Sequence, residues 1–177
     1  MRLIARLVGR GLNTPPTSSA GRLFDAVAAL AGLPGTQRAT YEGQAAVELE
    51  LAAEGPASQG YPFRLRREEA GWVVETGGII GGVVEDLLAG RSAGVVASRF
   101  HRTMAEVVVA GCEEIRGAGG ASVVALSGGT FQNLLLMEQV LELLAGKDFT
   151  VYRHMRVPTN DGGLALGQAV MANNEKS

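Results

Sequence analysis

Ser122-Val123-Val124-Ala125-Leu126 is a short, unbroken run of small and branched residues closed by Ser127-Gly128-Gly129. A continuous apolar run of this length is typical of a strand buried on both faces of a parallel sheet. A helical stretch over residues 133–145 follows, with Leu134, Met137, Leu141 and Leu144 on one side, and then a second strand at 149–154. Asp161-Gly162-Gly163 leads into a last helix through residue 172. Strand, helix, strand and helix in so short a span define a βαβ unit with a right-handed crossover and a helix after it.

The rest of the chain must cover that unit. Residues 1–11 place Arg2, Arg6 and Arg10 four apart among Leu3, Ile4, Leu7 and Val8, which reads as an amphipathic helix ending at Gly11. The same arginines interrupt the apolar stretch a secretory signal needs, and the helix reading is preferred to an organelle transit peptide. A second helix starts after Ser18-Ser19, either of which can cap it, and ends before Gly32, with Leu23, Phe24, Val27 and Leu30 on its apolar face. A loop over 33–41 precedes a third helix at 44–54, which pairs Val47 with Leu51 and projects Glu48, Glu50 and Glu54 toward water. After the break at 55–60, Tyr61, Phe63 and Leu65 alternate with polar residues, a turn spans 68–71, and Trp72-Val73-Val74-Glu75 returns as the second strand of a hairpin with one wet face. A glycine-rich helix at 77–90 and a long helix from Ser92 to 116 follow, the latter burying Val95, Val96, Phe100, Met104, Val107 and Val108. The fold class is α/β: a mixed sheet with flanking helices and a small β-hairpin.

Composition limits the function classes. The chain has 177 residues, 46% of them hydrophobic, and a formal net charge of −2. That length suits a single domain, and the charge lacks the basic excess of a sequence-independent nucleic-acid binder. No stretch is long and apolar enough to span a membrane. One cysteine, Cys112, excludes an internal disulfide framework and points to a reducing, cytoplasmic setting. With no histidine or lysine near it in sequence, Cys112 reads as core rather than nucleophile.

In α/β sheets, ligands bind beyond the carboxyl ends of the strands. The first such place here is Ser127-Gly128-Gly129-Thr130-Phe131-Gln132-Asn133. Its glycines let the backbone approach a ligand, and the amides opening the next helix attract anions or sugar hydroxyls. The competing reading is a tight strand-to-helix turn with Asn133 as an early helix residue. The second place is Pro158-Thr159-Asn160-Asp161-Gly162-Gly163, where Asp161 serves either as a helix N-cap or as a ligand to a hard metal. Asp25 lies within a helix and Glu42 at a helix start, both open to a bland reading as solvated acids. His101 and His154 are far apart and form no His-x-x-x-His pair, so a self-contained zinc site is not expected, and His101 reads as a packed or surface side chain. No serine–histidine–aspartate arrangement emerges, and the catalytic residues stay unknown. The residues themselves lead to a nucleotide-sized, glycine-lined cleft with two or three carboxylates.

Four blocks carry a more specific message. Asn13-Thr14-Pro15 with Ser18-Ser19-Ala20-Gly21-Arg22-Leu23-Phe24-Asp25-Ala26, Tyr41-Glu42-Gly43-Gln44-Ala45-Ala46, Leu126-Ser127-Gly128-Gly129-Thr130-Phe131-Gln132-Asn133, and Val157-Pro158-Thr159-Asn160-Asp161-Gly162-Gly163-Leu164-Ala165-Leu166-Gly167-Gln168 resemble, in order, the carboxyl-terminal part of the HypF-type carbamoyltransferases. The resemblance implies one lobe of an actin-like (ASKHA) ATPase fold, related to the threonylcarbamoyl transferases of tRNA. It also implies a role in nickel–iron hydrogenase maturation. There, carbamoyl phosphate and ATP yield carbamoyl adenylate, and the carbamoyl group passes to the terminal cysteine of a HypE-type acceptor protein on the way to cyanide ligands.

By the same resemblance, Asp25, Glu42 and Gly43 hold the ribose, and Ser127, Gly128, Gly129 and Asn133 line the adenosine side. Asp161 joins a metal site near the phosphates. The implied cofactors are ATP or carbamoyl adenylate and a divalent metal, magnesium with the nucleotide and iron or zinc in a complete site. Residues 1–177 correspond to the second lobe only, so the expected partners are the acceptor protein and either an amino-terminal lobe or a second copy, without nucleic acid or membrane. The alternatives are an inactive nucleotide- or protein-binding lobe and an O-carbamoyltransferase of small molecules.

Overall fold

The computed structural model describes residues 2–12, 14–69 and 71–174. Met1 of the expected first helix, Asn13 of the first matching block and Ala70 of the expected hairpin turn lie outside the described residues. Among the described residues, seven α-helices and four strands follow in the order α1 (Arg2–Gly9), α2 (Ala20–Leu30), α3 (Gln44–Ala52), β1 (Arg64–Glu68), β2 (Gly71–Glu75), α4 (Gly77–Leu88), α5 (Ala93–Gly117), β3 (Val123–Leu126), α6 (Leu134–Ala145), β4 (Thr150–Arg153) and α7 (Leu164–Asn174).

The helix starts follow local side-chain chemistry. Ser19 caps α2 by accepting from Arg22 N–H, Ser92 caps α5 by accepting from Val95 N–H, and Asn133 caps α6 by accepting from Leu136 N–H. The core forms around α5, on which α3, α4 and α6 pack. Its centre is Phe100, Val96, Ala97 and Met104 of α5 with Phe24 and Val27 of α2, Leu49 of α3, Ile79 and Val83 of α4, and Leu136, Val140 and Leu144 of α6.

The strands form two separate sheets rather than one mixed sheet. β1 and β2 are an antiparallel hairpin in the register Arg64↔Glu75 to Glu68↔Gly71. β3 and β4 are parallel, Val123↔Thr150 to Leu126↔Arg153, with α6 as the crossover. The expectation that β3 is buried on both faces is corrected: only Leu126 is fully buried, Ala125 is exposed and Val123 is 57% exposed. One face of this short sheet lies against α6, and the other is bare. Two helix faces are corrected likewise. On α3, Ala45 and Leu49 point inward, whereas Val47 is exposed and Leu51 is 79% exposed; Glu48 and Glu50, expected in water, are half-buried and hydrogen-bonded. On α6, Leu134 is exposed while Leu136, Met137 and Val140 are buried.

α4 offers a paired test of packing against propensity. A Cβ at Gly81 meets nothing within 4 Å, whereas one at Gly82 falls 2.5 Å from Tyr61 Cδ1. The Tyr61 ring cannot yield, because its hydroxyl donates to Asp86 at 2.8 Å and Arg99 lies 4.4 Å over its face. Gly81→Ala should therefore raise stability by about 1 kcal/mol, the helix-propensity gain. Gly82→Ala should lower it by about 1–3 kcal/mol through overpacking. Urea unfolding midpoints of the two variants should move in opposite directions.

Candidate functional site

A cleft of about 610 Å³ opens between the starts of α2 and α3, the turn after β3 and the loop before α7. Its size falls within the roughly 300–1,000 Å³ of small-molecule sites. Phe24 forms part of its wall, and Glu42, Gly43, Gly128, Gly129, Asn133 and Asp161 all line it. Of the expected site residues, those six converge. Asp25 and Ser127 are not part of the lining. Asp25, one position past Phe24, pairs with Arg22 at 3.2 Å, and Ser127 Oγ lies 3.1 Å from His154 Nε2.

Backbone geometry explains two of the glycines. Gly43 sits at φ 79°, ψ 4° immediately before α3, a left-handed conformation that costs glycine little. Gln44 braces that turn, its side-chain oxygen accepting from Thr40 N–H at 2.8 Å and its amide donating to Glu48 at 2.8 Å. Gly128, at φ 101°, ψ 158°, occupies a region almost closed to other residues, and its N–H donates to Thr159 carbonyl at 2.9 Å. That bond ties the turn after β3 to the loop carrying Asp161. Asp161 is not the cap of that loop. Asn160 Oδ1 accepts from Gly162 N–H at 3.1 Å, so the Asp161 carboxylate is left exposed at the cleft.

The start of α6 differs from expectation in a way that matters chemically. Glu50 Oε1 accepts from Leu134 N–H at 2.6 Å and Leu135 N–H at 3.2 Å, and Asn133 Oδ1 takes Leu136 N–H at 2.8 Å. The amides that would attract a phosphate are therefore occupied by the protein's own oxygens. This wall of the cleft is acidic, and suits hydroxyl groups better than phosphates. Glu50 also joins the two walls, tying α3 to α6. Its spacing contains the missed signal: Gly43, Ala46, Val47 and Glu50 recur at helical period and form the cleft face of α3, which is why Val47 is not core.

His101 is the second residue that sequence reasoning undervalued. It is 0% exposed, its Nδ1 lies 2.7 Å from Ala97 carbonyl and its Nε2 lies 2.9 Å from Asn133 Nδ2. A carbonyl only accepts, so Nδ1 carries the proton; Asn133 Nδ2 only donates, so Nε2 is bare. Burial holds the imidazole below its ordinary pKa, against the opposing pull of the Ala97 bond and the Glu50 charge. The ring meets Phe24 edge-on at 5.5 Å. Cys112 behaves as the sequence suggested: it is half-buried on α5, and burial pushes its thiol up.

Among the described residues, no three His, Cys, Asp or Glu side chains are gathered as a metal cluster. Asp161 offers a single carboxylate, so these residues do not hold a divalent ion by themselves. No described helix is long and apolar enough to cross a membrane.

A glycine-lined cleft beyond the ends of two parallel strands, built on this helical scaffold, marks a lobe of α/β type. Residues 1–168 match the family model described as the carbamoyltransferase, Kae1-like domain, second subdomain, and the chain belongs to that family. It is 38% identical over 177 residues to the carbamoyltransferase HypF of Rhodobacter capsulatus, an alignment covering 96% of this chain and 21% of that protein. It is 36% identical over 180 residues to a carbamoyltransferase HypF homolog of Cupriavidus necator, covering 97% of this chain and 44% of that one. The chain thus spans less than half the length of either relative. Among solved structures, full-length HypF in its phosphate- and nucleotide-bound form superposes with a TM-score of 0.86 at 37% identity, covering 98% of this chain and 27% of that one. HypF of T. kodakarensis superposes with a TM-score of 0.78 at 27% identity, covering 94% and 21%. The ASKHA-type lobe expected from the sequence is the fold observed.

Proposed function

We propose that this chain supplies the adenosine half of a carbamoyl-transfer site. In this reading, ATP or carbamoyl adenylate lies in the cleft, with Glu42 and Glu50 accepting from hydroxyl groups and the Gly128-Gly129 backbone against the nucleoside. The observation that supports it most is the convergence of four separate sequence blocks, through Phe24, Glu42-Gly43, Gly128-Gly129 with Asn133, and Asp161, on one cleft of nucleotide size. The similarity to a HypF solved with nucleotide agrees with it.

The transfer itself forms a bond from an acceptor thiolate sulfur to the carbamoyl carbon and breaks the bond from that carbon to the adenylate phosphate oxygen, which leaves with the electron pair. This lobe contributes orientation of the adenylate, the source of rate in such a step. The thiolate comes from elsewhere: Cys112 is on α5, outside the cleft lining, and burial raises its thiol pKa. A terminal cysteine of a HypE-type acceptor in hydrogenase maturation is the proposed source, in a cytoplasmic setting. Asp161 adds one carboxylate to magnesium carried by the nucleotide.

A bare face on the β3–β4 sheet, where Val123 is 57% and Tyr152 63% exposed, supports a partner lobe covering this side. A first subdomain of the same carbamoyltransferase is the proposed occupant.

Calorimetric titration of ATP with magnesium into the chain tests the site. Saturable binding is expected, weakened about 10–100-fold by Glu42→Ala, the worth of hydrogen bonds to a charged group. Asp25→Ala should act less strongly, because Asp25 does not line the cleft. Equal affinity in wild type and Glu42→Ala would refute the assignment.

A further inference from the structure

The Asn133 amide enters the cleft with most of its capacity already committed. Its Oδ1 accepts from Leu136 N–H at 2.8 Å, and Nδ2 donates one of its two hydrogens to His101 at 2.9 Å. The reading of the cleft as a nucleotide site uses Asn133 and leaves His101 without a role. Yet His101 is enclosed by Phe24, Phe100 and its own helix, and neither ring nitrogen lacks a partner. A purely space-filling residue at this point would be apolar, because a buried imidazole is tolerated only when both nitrogens are hydrogen-bonded.

We propose that His101 is a positioning residue for the ligand site: by accepting from Asn133 Nδ2 it fixes the direction of that amide and leaves one N–H for the ligand. The proposal rests on the nucleotide reading above and adds a specificity to it. With Oδ1 already engaged by the α6 backbone, the group that the His101 contact directs toward a ligand is the remaining Nδ2 hydrogen, a donor. That hydrogen matches an acceptor atom, such as a ring nitrogen or an ether oxygen of a nucleotide. The hydroxyl groups of the same ligand are left to Glu42 and Glu50, which accept. Without His101 Nε2, nothing on the protein side holds the second hydrogen, and the amide can swing about its cap bond.

The test is a double-mutant cycle read by titration of ATP with magnesium into the chain. His101→Phe keeps a flat ring and removes the acceptor; it should weaken binding about tenfold, the worth of one misdirected hydrogen bond. Asn133→Ala should weaken binding at least as much, and the double variant should be no worse than Asn133→Ala. His101→Gln, whose amide can donate to Ala97 and accept from Asn133, should restore most of the affinity. Unchanged affinity in His101→Phe, or effects of the two single variants that multiply, overturns the proposal. A folded His101→Gln chain that binds as poorly as Asn133→Ala also overturns it, which keeps the test decisive if His101→Phe fails to fold.

A second readout does not depend on ligand. One Asn133 Nδ2 proton should exchange slowly with water by NMR in the wild type and in His101→Gln, and quickly in His101→Phe. Should the wild type bind no ATP, the nucleotide reading fails. The exchange rate then decides the positioning claim by itself, with fast exchange in wild type, or no change in His101→Phe, counting against it.

Discussion

Replacing Phe24 with alanine should lower the unfolding free energy by about 3–5 kcal/mol, the range for emptying a fully packed aromatic site. Phe24 is buried, meets Phe100 edge-on at 4.8 Å and His101 at 5.5 Å, and at the same time forms part of the cleft wall. Its loss opens a cavity beside His101 that connects to the cleft, so water reaches the imidazole. Desolvation is the main reason His101 resists protonation. The variant should accordingly show two linked changes: a large drop in urea midpoint at pH 7.5, and a shallower fall of stability below pH 6.5 than the wild type. Phe24→Leu, which fills most of the space, should lose far less and keep the wild-type pH profile. A Phe24→Ala chain with the full pH slope would mean that the cleft does not reach His101 when the ring is removed.

The parts of the fold that were legible in the sequence are those set by neighbouring residues. Ser19 and Ser92 cap their helices because a hydroxyl can reach an amide three residues on, and Gly128 marks a backbone conformation few other residues adopt. The βαβ order followed from the continuous run at residues 122–126, although that run also suggested more burial than β3 has. Val123 and Ala125 are exposed because no described element packs on that face of the sheet. Periodicity reports which face of a helix is apolar, and is silent on whether that face meets core, cleft or partner. Val47 and Leu51 were misread for that reason. Six residues that line the cleft were legible, through local turn chemistry and family resemblance. Glu50 and His101 were not, because their roles depend on bonds to residues 84 and 32 positions away. Asp161 reads as a cap in the sequence, but the extended backbone at Asn160 puts that side chain, not the next, within reach of Gly162 N–H.

Asn133→Asp should reverse the pH dependence of stability. In the wild type, unfolded His101 takes up a proton near its ordinary pKa of about 6.5. The folded chain does so only at lower pH, because burial depresses the value. Between those values the unfolded state binds more protons. Stability should be full above pH 6.5 and should fall on acidification with a slope of up to about 1.4 kcal/mol per pH unit. An aspartate at position 133 keeps an oxygen for the α6 cap and turns the other toward Nε2, which has no proton to give until the ring is charged. Protonation then supplies the missing donor and an ion pair, raising the folded pKa above 6.5, so the linked stability is present below pH 6.5 and lost as pH rises through the raised value. At pH 8 the variant should be about 2–4 kcal/mol less stable than wild type, the result of a buried acceptor facing a carboxylate with Glu50 close by. That deficit should shrink steadily toward pH 5.5. Urea unfolding of wild type, Asn133→Asp and His101→Gln across pH 5.5–8 separates the possibilities. His101→Gln should be flat where the other two slope in opposite directions, and a slope that survives in it would belong to another group. If wild type and Asn133→Asp slope alike, the contact between His101 and Asn133 is not what sets the protonation of this site.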